Sequence, residues 1–600
     1  MLLHFLPSEI SIIVRILLAL QFLSILLQVV RTDALITALN SKAGLITVRQ
    51  KLLLNNSTIS TLTETRLTQI VLAHEIAHQW FGNLVTMKWW DDLWLNEGFA
   101  SMIGLKANDV LSNTTLSRDE LSVDIARAMR NDQMPSSMPI SRRDEAFDPE
   151  TAFTSNTYKK AMLIILMMER IVSEVTFRDG LRMFLHKFMY KNVDHTDLLT
   201  VLTRVCAGST IGERLVGLNF TLAEVIETWI YQQGFPLLHV RRRSDGYVLV
   251  TQEIYRHIPG HKASGVQWKI PIFLRDPDTL KPTVRWLVEN STVVLDLRAD
   301  MVLDRDGRSF VRVRYDTESY LDIIARLHAD ANCIPVGART RLMDDSFTLA
   351  EIGNLSYAHA LNISVYLRKE TAYPPVKMLN AHLDFLVSRL TTHAKFSEFQ
   401  LFIVTILEPL FERFQRNPLL EGMKIHEEIP PYVRQPLYST AIMYGDDDVF
   451  EFMYSKWKEE VYQIEKERIW IALGTSKKKE HIHRIFDDIF FNKHPRDLRH
   501  MCAGYVSYNH PINHFTSYVV ENLDRIKVAV HTNGLSVELL LQTFARGIVR
   551  TEDIPMLRAR IRSVSAWMAT YGDSVINNVT VIMSNLNELK SSTHVHGKKL

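Results

Sequence analysis

The pattern of apolar and polar positions divides the chain into three regimes. Residues 63–73 hold neither Pro nor Gly and open on a Thr/Glu first turn, which predicts a helix that carries residues 74–78 and stops at Gly82. Residues 93–110 are again largely apolar and predict a second helix. Residues 160–189 alternate apolar clusters with charge at helical spacing, and residues 229–236 close with Gly and then Pro, a helix stop. From 237 to 315 the pattern turns to short β-favouring runs, at 247–250, 268–272, 284–288 and 310–315. Ser244-Asp245-Gly246 and Asp276-Pro277-Asp278 supply turn signals between them, and the spacing predicts a small β-sandwich. From 317 onward helical periodicity with short polar breaks dominates, consistent with helix pairs stacked as an irregular α-solenoid. The expected architecture is multidomain and mainly α.

A further apolar run, residues 12–30, is interrupted by Arg15, Gln21, Ser24 and Gln28. Two readings of it stand side by side: a signal-anchor that attaches the chain to a membrane, or a segment buried in the first domain. The first implies a membrane or extracellular location, the second a cytoplasmic one. Lys and Arg number 69 against 67 Asp and Glu, so charge balance points to no polyanionic partner and no nucleic acid. The three cysteines, Cys206, Cys333 and Cys502, have no CxxC spacing and allow at most one disulfide. Sequons at Asn55, Asn56, Asn113, Asn219, Asn290, Asn354, Asn362 and Asn578 are compatible with secretion. His186, Lys187 and His195 read as helix surface and loop, without a metal.

The chemistry concentrates at His74-Glu75-Ile76-Ala77-His78. Residues four apart share one helix face, so His74 and His78 aim two imidazoles at one point. A catalytic zinc takes three protein ligands, and Glu97, nineteen positions after His78 on the second predicted helix, supplies the carboxylate of a His2Glu set. Glu75 binds no metal in this reading. It accepts the proton of the attacking water and later delivers it to the leaving amine. One Zn2+ per chain is expected.

Residues 74–101, HEIAHQWFGNLVTMKWWDDLWLNEGFAS, resemble the zinc-binding core of the aminopeptidase N family of zinc metallopeptidases. The resemblance continues at 229–236 and at 341–347, similar to the first helices of the family's carboxy-terminal α-helical domain. It implies a thermolysin-like α/β catalytic domain at 31–234 after a hydrophobic leader at 1–30, a β-sandwich at 235–316 and a helical domain at 317–600. It also implies an oxyanion-stabilising tyrosine within a Phe, Tyr, Lys-Gly-Ala pattern. Phe153, Tyr158 and Lys160 match that pattern, with Ala161 in place of the Gly, so Tyr158 is the expected donor.

Two departures bear on activity. Residues 44–49 resemble the strand after the family's GAMEN motif, whose glutamate binds the substrate amine; here the motif reads Ala38-Leu39-Asn40-Ser41-Lys42. Ser41 stands at the glutamate position beside a cationic Lys42, which weakens recognition of a substrate ammonium unless another acid, such as Asp92, takes over. Only about forty residues precede the match, so the catalytic domain is expected to lack part of its sheet, as a shortened form or with that part supplied otherwise. The implied function is a zinc-dependent aminopeptidase acting on peptide substrates by zinc-activated water attack. The alternatives are a zinc-binding pseudoenzyme or peptide-binding protein, and an adhesion or scaffold role for the helical domain. Oligomeric state is left open.

Overall fold

Three short strands come first: β1 (Gln28–Thr32), β2 (Leu39–Lys42) and β3 (Leu45–Arg49). β2 and β3 pair antiparallel across a two-residue connection, with Ser41 opposite Ile46, and β1 lies parallel on the other side of β3 with Gln28 opposite Leu45. The apolar run 12–30 thus ends inside β1; its earlier residues lie outside the described ones. The computed structural model describes residues 28–32, 39–42, 45–49, 62–112, 116–134, 137–142, 149–206, 220–257, 266–288, 291–298, 300, 302–390, 393–413, 438–439, 441–442, 446–460, 463–476, 478–488, 491, 518, 522 and 525. Among them no helix is long and apolar enough to cross a membrane.

The two predicted helices form as α1 (Leu62–Ala77) and α2 (Leu93–Ser112). Between them the chain turns at Gly82, whose φ of +134° suits a residue without a Cβ, and runs through the short strand β4 (Thr86–Met87). Small residues let α1 and α2 approach closely. A Cβ on Gly104 would lie 2.7 Å from the Ile70 carbonyl oxygen, and Ala73 and Ala107 are buried together. On the other side of α2, a Cβ on Gly98 would come within 2.8 Å of Ile165 Cδ1. The α2 face bearing Glu97, Ser101 and Gly104 is thereby held against α1.

The helical layer continues with α3 (Leu116–Asp132), α4 (Ala161–Val172), α5 (Glu174–Phe188), α6 (His195–Cys206) and α7 (Leu222–Ile230). α4 is apolar almost all round, and its Ala161 to Ile165 run is buried, as expected of a helix packed on several sides. α7 starts at a capping box in which the Thr221 side chain and Glu224 each satisfy the other's backbone N–H. The strand β5 (Asn192–Val193), between α5 and α6, pairs parallel with β4.

Strands β6 (Pro236–Arg242), β7 (Val248–Ile254), β8 (Lys269–Arg275), β9 (Pro282–Val288), β10 (Val293–Leu295) and β11 (Arg312–Tyr315) occupy the region expected to be β. They make a four-stranded sheet of order β10-β7-β6-β11 and a β8-β9 hairpin, with β11 parallel to β6. Both predicted turns are present. Gly246 takes φ +85° after Asp245, and the Asp276 carboxylate accepts the backbone N–H groups of Asp278 and Thr279.

Helices α8 (Thr317–Ala329), α9 (Val336–Glu351), α10 (Tyr357–Val365) and α11 (Tyr373–Leu390) follow. Residues 341–347 fall within α9, where Asp344 and Asp345 pair with buried Arg312 of β11 at 3.0 and 2.8 Å. Opposed and hydrogen-bonded, these charges offset the cost of removing them from water. The described residues divide into two units, one holding the three first strands and Arg66 to Leu379, the other holding residues 62–65 and those from Asn380 onward. The second contains α12 (Phe396–Arg413), α13 (Asp447–Glu459), α14 (Gln463–Leu473) and α15 (Lys479–Asp487). The chain is mainly helical with a few small sheets.

Of the sequons, Asn354 and Asn362 lie among the described residues. Asn362 sits in α10, donates to the Ala358 carbonyl at 2.8 Å and precedes a fully buried Ser364. Cys206 and Cys333 are free thiols, and Cys502 lies outside the described residues.

Candidate metal centre

On α1 and the turn that ends it, His74 and His78 point the same way, and α2 brings Glu97 across to them. His74 Nε2 lies 3.0 Å from His78 Nε2, and the Glu97 carboxylate oxygen lies 3.1 Å from the first and 3.3 Å from the second. A tetrahedral zinc with bonds of about 2.0–2.1 Å sets its ligand atoms about 3.3 Å apart, close to this triangle. Among the described residues no other group of three metal-binding side chains converges in this way.

The hydrogen bonds behind the rings fit the same occupant. His78 Nδ1 donates to the Phe81 carbonyl oxygen at 3.0 Å, which fixes the proton there and leaves Nε2 as a bare lone pair. His74 Nδ1 lies 3.3 Å from the Ser101 hydroxyl, one turn of α2 beyond Glu97. A bare imidazole nitrogen, a second ring nitrogen and a carboxylate oxygen facing one another call for a cation. The three side chains are only 11–14% exposed, so the cluster is largely buried yet not sealed from solvent.

The titration of the cluster has the same origin. Burial works against the Glu97 charge, but hydrogen bonds and charge from His74 and His78 hold its carboxyl down at about 2. The two rings move in opposite directions. Burial keeps His74 below its ordinary value, whereas at His78 burial is outweighed by Glu97 and the Phe81 carbonyl, which raise it. Glu75 is buried beside them, and burial pushes its carboxyl up to about 7.

Tyr158 stacks over His74 with ring centroids 6.2 Å apart. Burial first, and then the Glu97 charge, lift its phenol above the usual range. It stands in a single π-helical turn, Asn156–Lys160, directly before α4. That turn is pinned at both ends. The Asn156 amide donates to Asp132 at 2.7 Å and to the Met138 carbonyl, while Lys160, fully buried, pairs with the same Asp132 at 3.0 Å and donates to the Gly234 carbonyl. The Lys of the sequence pattern therefore anchors the turn that aims Tyr158. Asp132 and Asn156 carry no motif that singles them out in the sequence.

Two expectations are corrected here. His195 is not on the surface: it is 7% exposed, with Nδ1 2.9 Å from both Asp92 oxygens and Nε2 2.8 Å from the Tyr231 hydroxyl. Asp92 cannot stand in for the missing amine-binding acid, because it is buried and its oxygens also accept from the His195 backbone and Trp94 Nε1. His186 and Lys187 are exposed on α5, as expected. Ser41 lies in β2, opposite Ile46.

Residues 23–229 match the Peptidase family M1 domain, and residues 301–422 and 412–566 match the ERAP1-like C-terminal domain. Aminopeptidase Ey of Gallus gallus is 28% identical over 486 residues, covering 72% of this chain and 49% of its own. The chain belongs to the aminopeptidase N family of M1 metallopeptidases. Its similarity within that family extends to aminopeptidase N of Haemonchus contortus, 30% identical over 385 residues (62% of this chain, 39% of that one). Glutamyl aminopeptidase of Bos taurus is 28% identical over 420 residues (68% and 41%). The chain spans about half the length, or less, of these M1 relatives.

Proposed function

We propose that this chain is a zinc-dependent aminopeptidase that hydrolyses peptides by activated-water attack. The observation that carries the reading is the convergence of His74, His78 and Glu97 on one point, with Glu75 buried beside them and Tyr158 stacked on His74. Zinc, when bound by these three ligands, supplies a Lewis acid for the scissile carbonyl and acidifies water. Glu75 takes the proton of the attacking water and returns it to the leaving amine. A carboxyl raised to about 7 is well matched to that exchange near neutral pH. Tyr158 donates its hydroxyl to the oxygen on which negative charge develops. The scissile peptide is the substrate, and one zinc per chain is the cofactor.

Removing the Tyr158 hydroxyl has a defined kinetic signature. Tyr158→Phe lowers kcat by roughly a hundredfold or more with little change in KM, because the donor matters once charge has developed. Steady-state kinetics on any cleaved peptide check this; a loss confined to KM would make Tyr158 a substrate-holding residue.

Ser41 and Lys42 favour a second reading, a zinc-loaded peptide-binding protein with lost exopeptidase turnover. The two readings part on one peptide offered with a free and with an acetylated amino terminus. A carboxylate at the amine site contributes a charge-assisted bond of roughly 1.5–3 kcal/mol. Without it, acetylation changes kcat/KM by less than about tenfold in the natural chain, and Ser41→Glu widens the gap, less so where Lys42 neutralises the new charge. Strong preference for the free amine in the natural chain would mean that another acid binds it. Cleavage of neither form by zinc-loaded protein selects the second reading.

A further inference from the structure

The loop that joins the two ligand-bearing helices is laced along its length to the segment between α5 and α6. The Tyr190 backbone N–H donates to the Leu84 carbonyl at 2.7 Å, and the Lys88 N–H donates to the Val193 carbonyl at 2.7 Å. Thr86 pairs with Asn192 and Met87 with Val193, and the Lys88 ammonium lies 2.7 Å from Asp194 and 3.0 Å from Asp197. Buried at the end of this lacing is the Asp92–His195–Tyr231 chain. Asp92 closes a 3-10 turn, Trp90–Asp92, directly before α2, and Glu97 follows in the second turn of that helix.

The Asp92 carboxylate can only accept, which fixes the direction of its two bonds to His195. The His195 Nδ1–H and backbone N–H donate to Asp92, and the Tyr231 hydroxyl is hydrogen-bonded to His195 Nε2 at 2.8 Å. Three elements are thereby tied at one buried point: the start of α2, the start of α6 and the residue after α7. Of these bonds, the one that bears on α2 is the donation from His195 Nδ1–H to Asp92.

We propose that His195 is a positioning residue for the third metal ligand: by fixing Asp92 it sets the rotation and height of the first turns of α2, and so the approach of Glu97 to His74 and His78. The inference rests on the zinc reading above. Residues behind a metal ligand typically govern 10- to 100-fold of metal affinity, and His195 acts on Glu97 at a distance, so about tenfold is expected.

The test separates the donor to Asp92 from the volume of the ring. Asn at 195 carries an amide N–H where Nδ1–H lies, whereas the amide of Gln extends toward the Nε2 position and leaves Asp92 without its side-chain donor. Zinc dissociation constants are measured on the full chain by competition with a chromophoric chelator, alongside thermal melting of the metal-free proteins. His195→Asn is expected to bind zinc within about threefold of the natural chain and His195→Gln about tenfold more weakly, with the two metal-free variants melting alike. Equal weakening in Asn and Gln, or natural affinity in Gln, would overturn the positioning role. A natural chain that binds no zinc at all would overturn the zinc reading and this inference together, a result distinct from either.

Discussion

Glu75→Gln is expected to bind zinc as the natural chain does and to lose roughly a hundred- to ten-thousandfold in peptide hydrolysis. The amide keeps the size and shape of the side chain in its buried place beside His78, so the ligand triangle is undisturbed. It cannot accept a proton, and the step that needs a base fails. Burial also disfavours a charged Glu75, so replacing it with a neutral amide removes the cost of desolvating a charge. Comparing kcat/KM and bound zinc in the two proteins checks this. Turnover retained in Glu75→Gln would move the base to another group.

Much of the His74, His78 and Glu97 cluster was legible in the sequence because helix periodicity is a local property. His78 follows His74 by four positions, so any helix through them aligns the two rings, and the second predicted helix carries Glu97 nineteen positions after His78. What sets Glu97 at the right height is not local. Gly104 meets the Ile70 carbonyl, and Gly98 meets Ala161 and Ile165, contacts that exist only once α1, α2 and α4 are packed. The β-runs and their turns were legible for the same local reason, whereas the parallel pairing of β11 with β6 joins segments some seventy residues apart and follows from tertiary packing.

His195 shows why the remainder escaped. A histidine at a helix start, after Asp194, reads as solvent-facing, since nothing within a few residues offers it a buried partner. Its partner Asp92 lies 103 residues earlier and belongs to a turn whose acidic pair looks like surface. Burial of a polar side chain depends on what the fold brings to it, and that information is spread over α2, α6 and α7. Tyr158 falls between these cases. The Phe, Tyr, Lys pattern pointed to it, but the π-helical turn that aims it depends on Asp132, Asn156 and the buried Lys160 pair.

Glu97→Ala is expected to lose zinc by more than the 10- to 100-fold that follows loss of a partner behind a ligand. Its removal leaves His74 and His78, two nitrogens that cannot close a tetrahedral site, and takes away the negative charge that both rings face. Hydrolysis falls with the metal, while the fold persists because the contacts of α2 with α1 run through Gly104 and Ala107 rather than through Glu97. The measurement that bears most directly on the whole account is the metal content of purified protein after dialysis, by elemental analysis, in the natural chain and in Glu97→Ala. About one zinc per natural chain and a small fraction of that in the variant is the result expected of a His2Glu site. Equal and low zinc in both would contradict it.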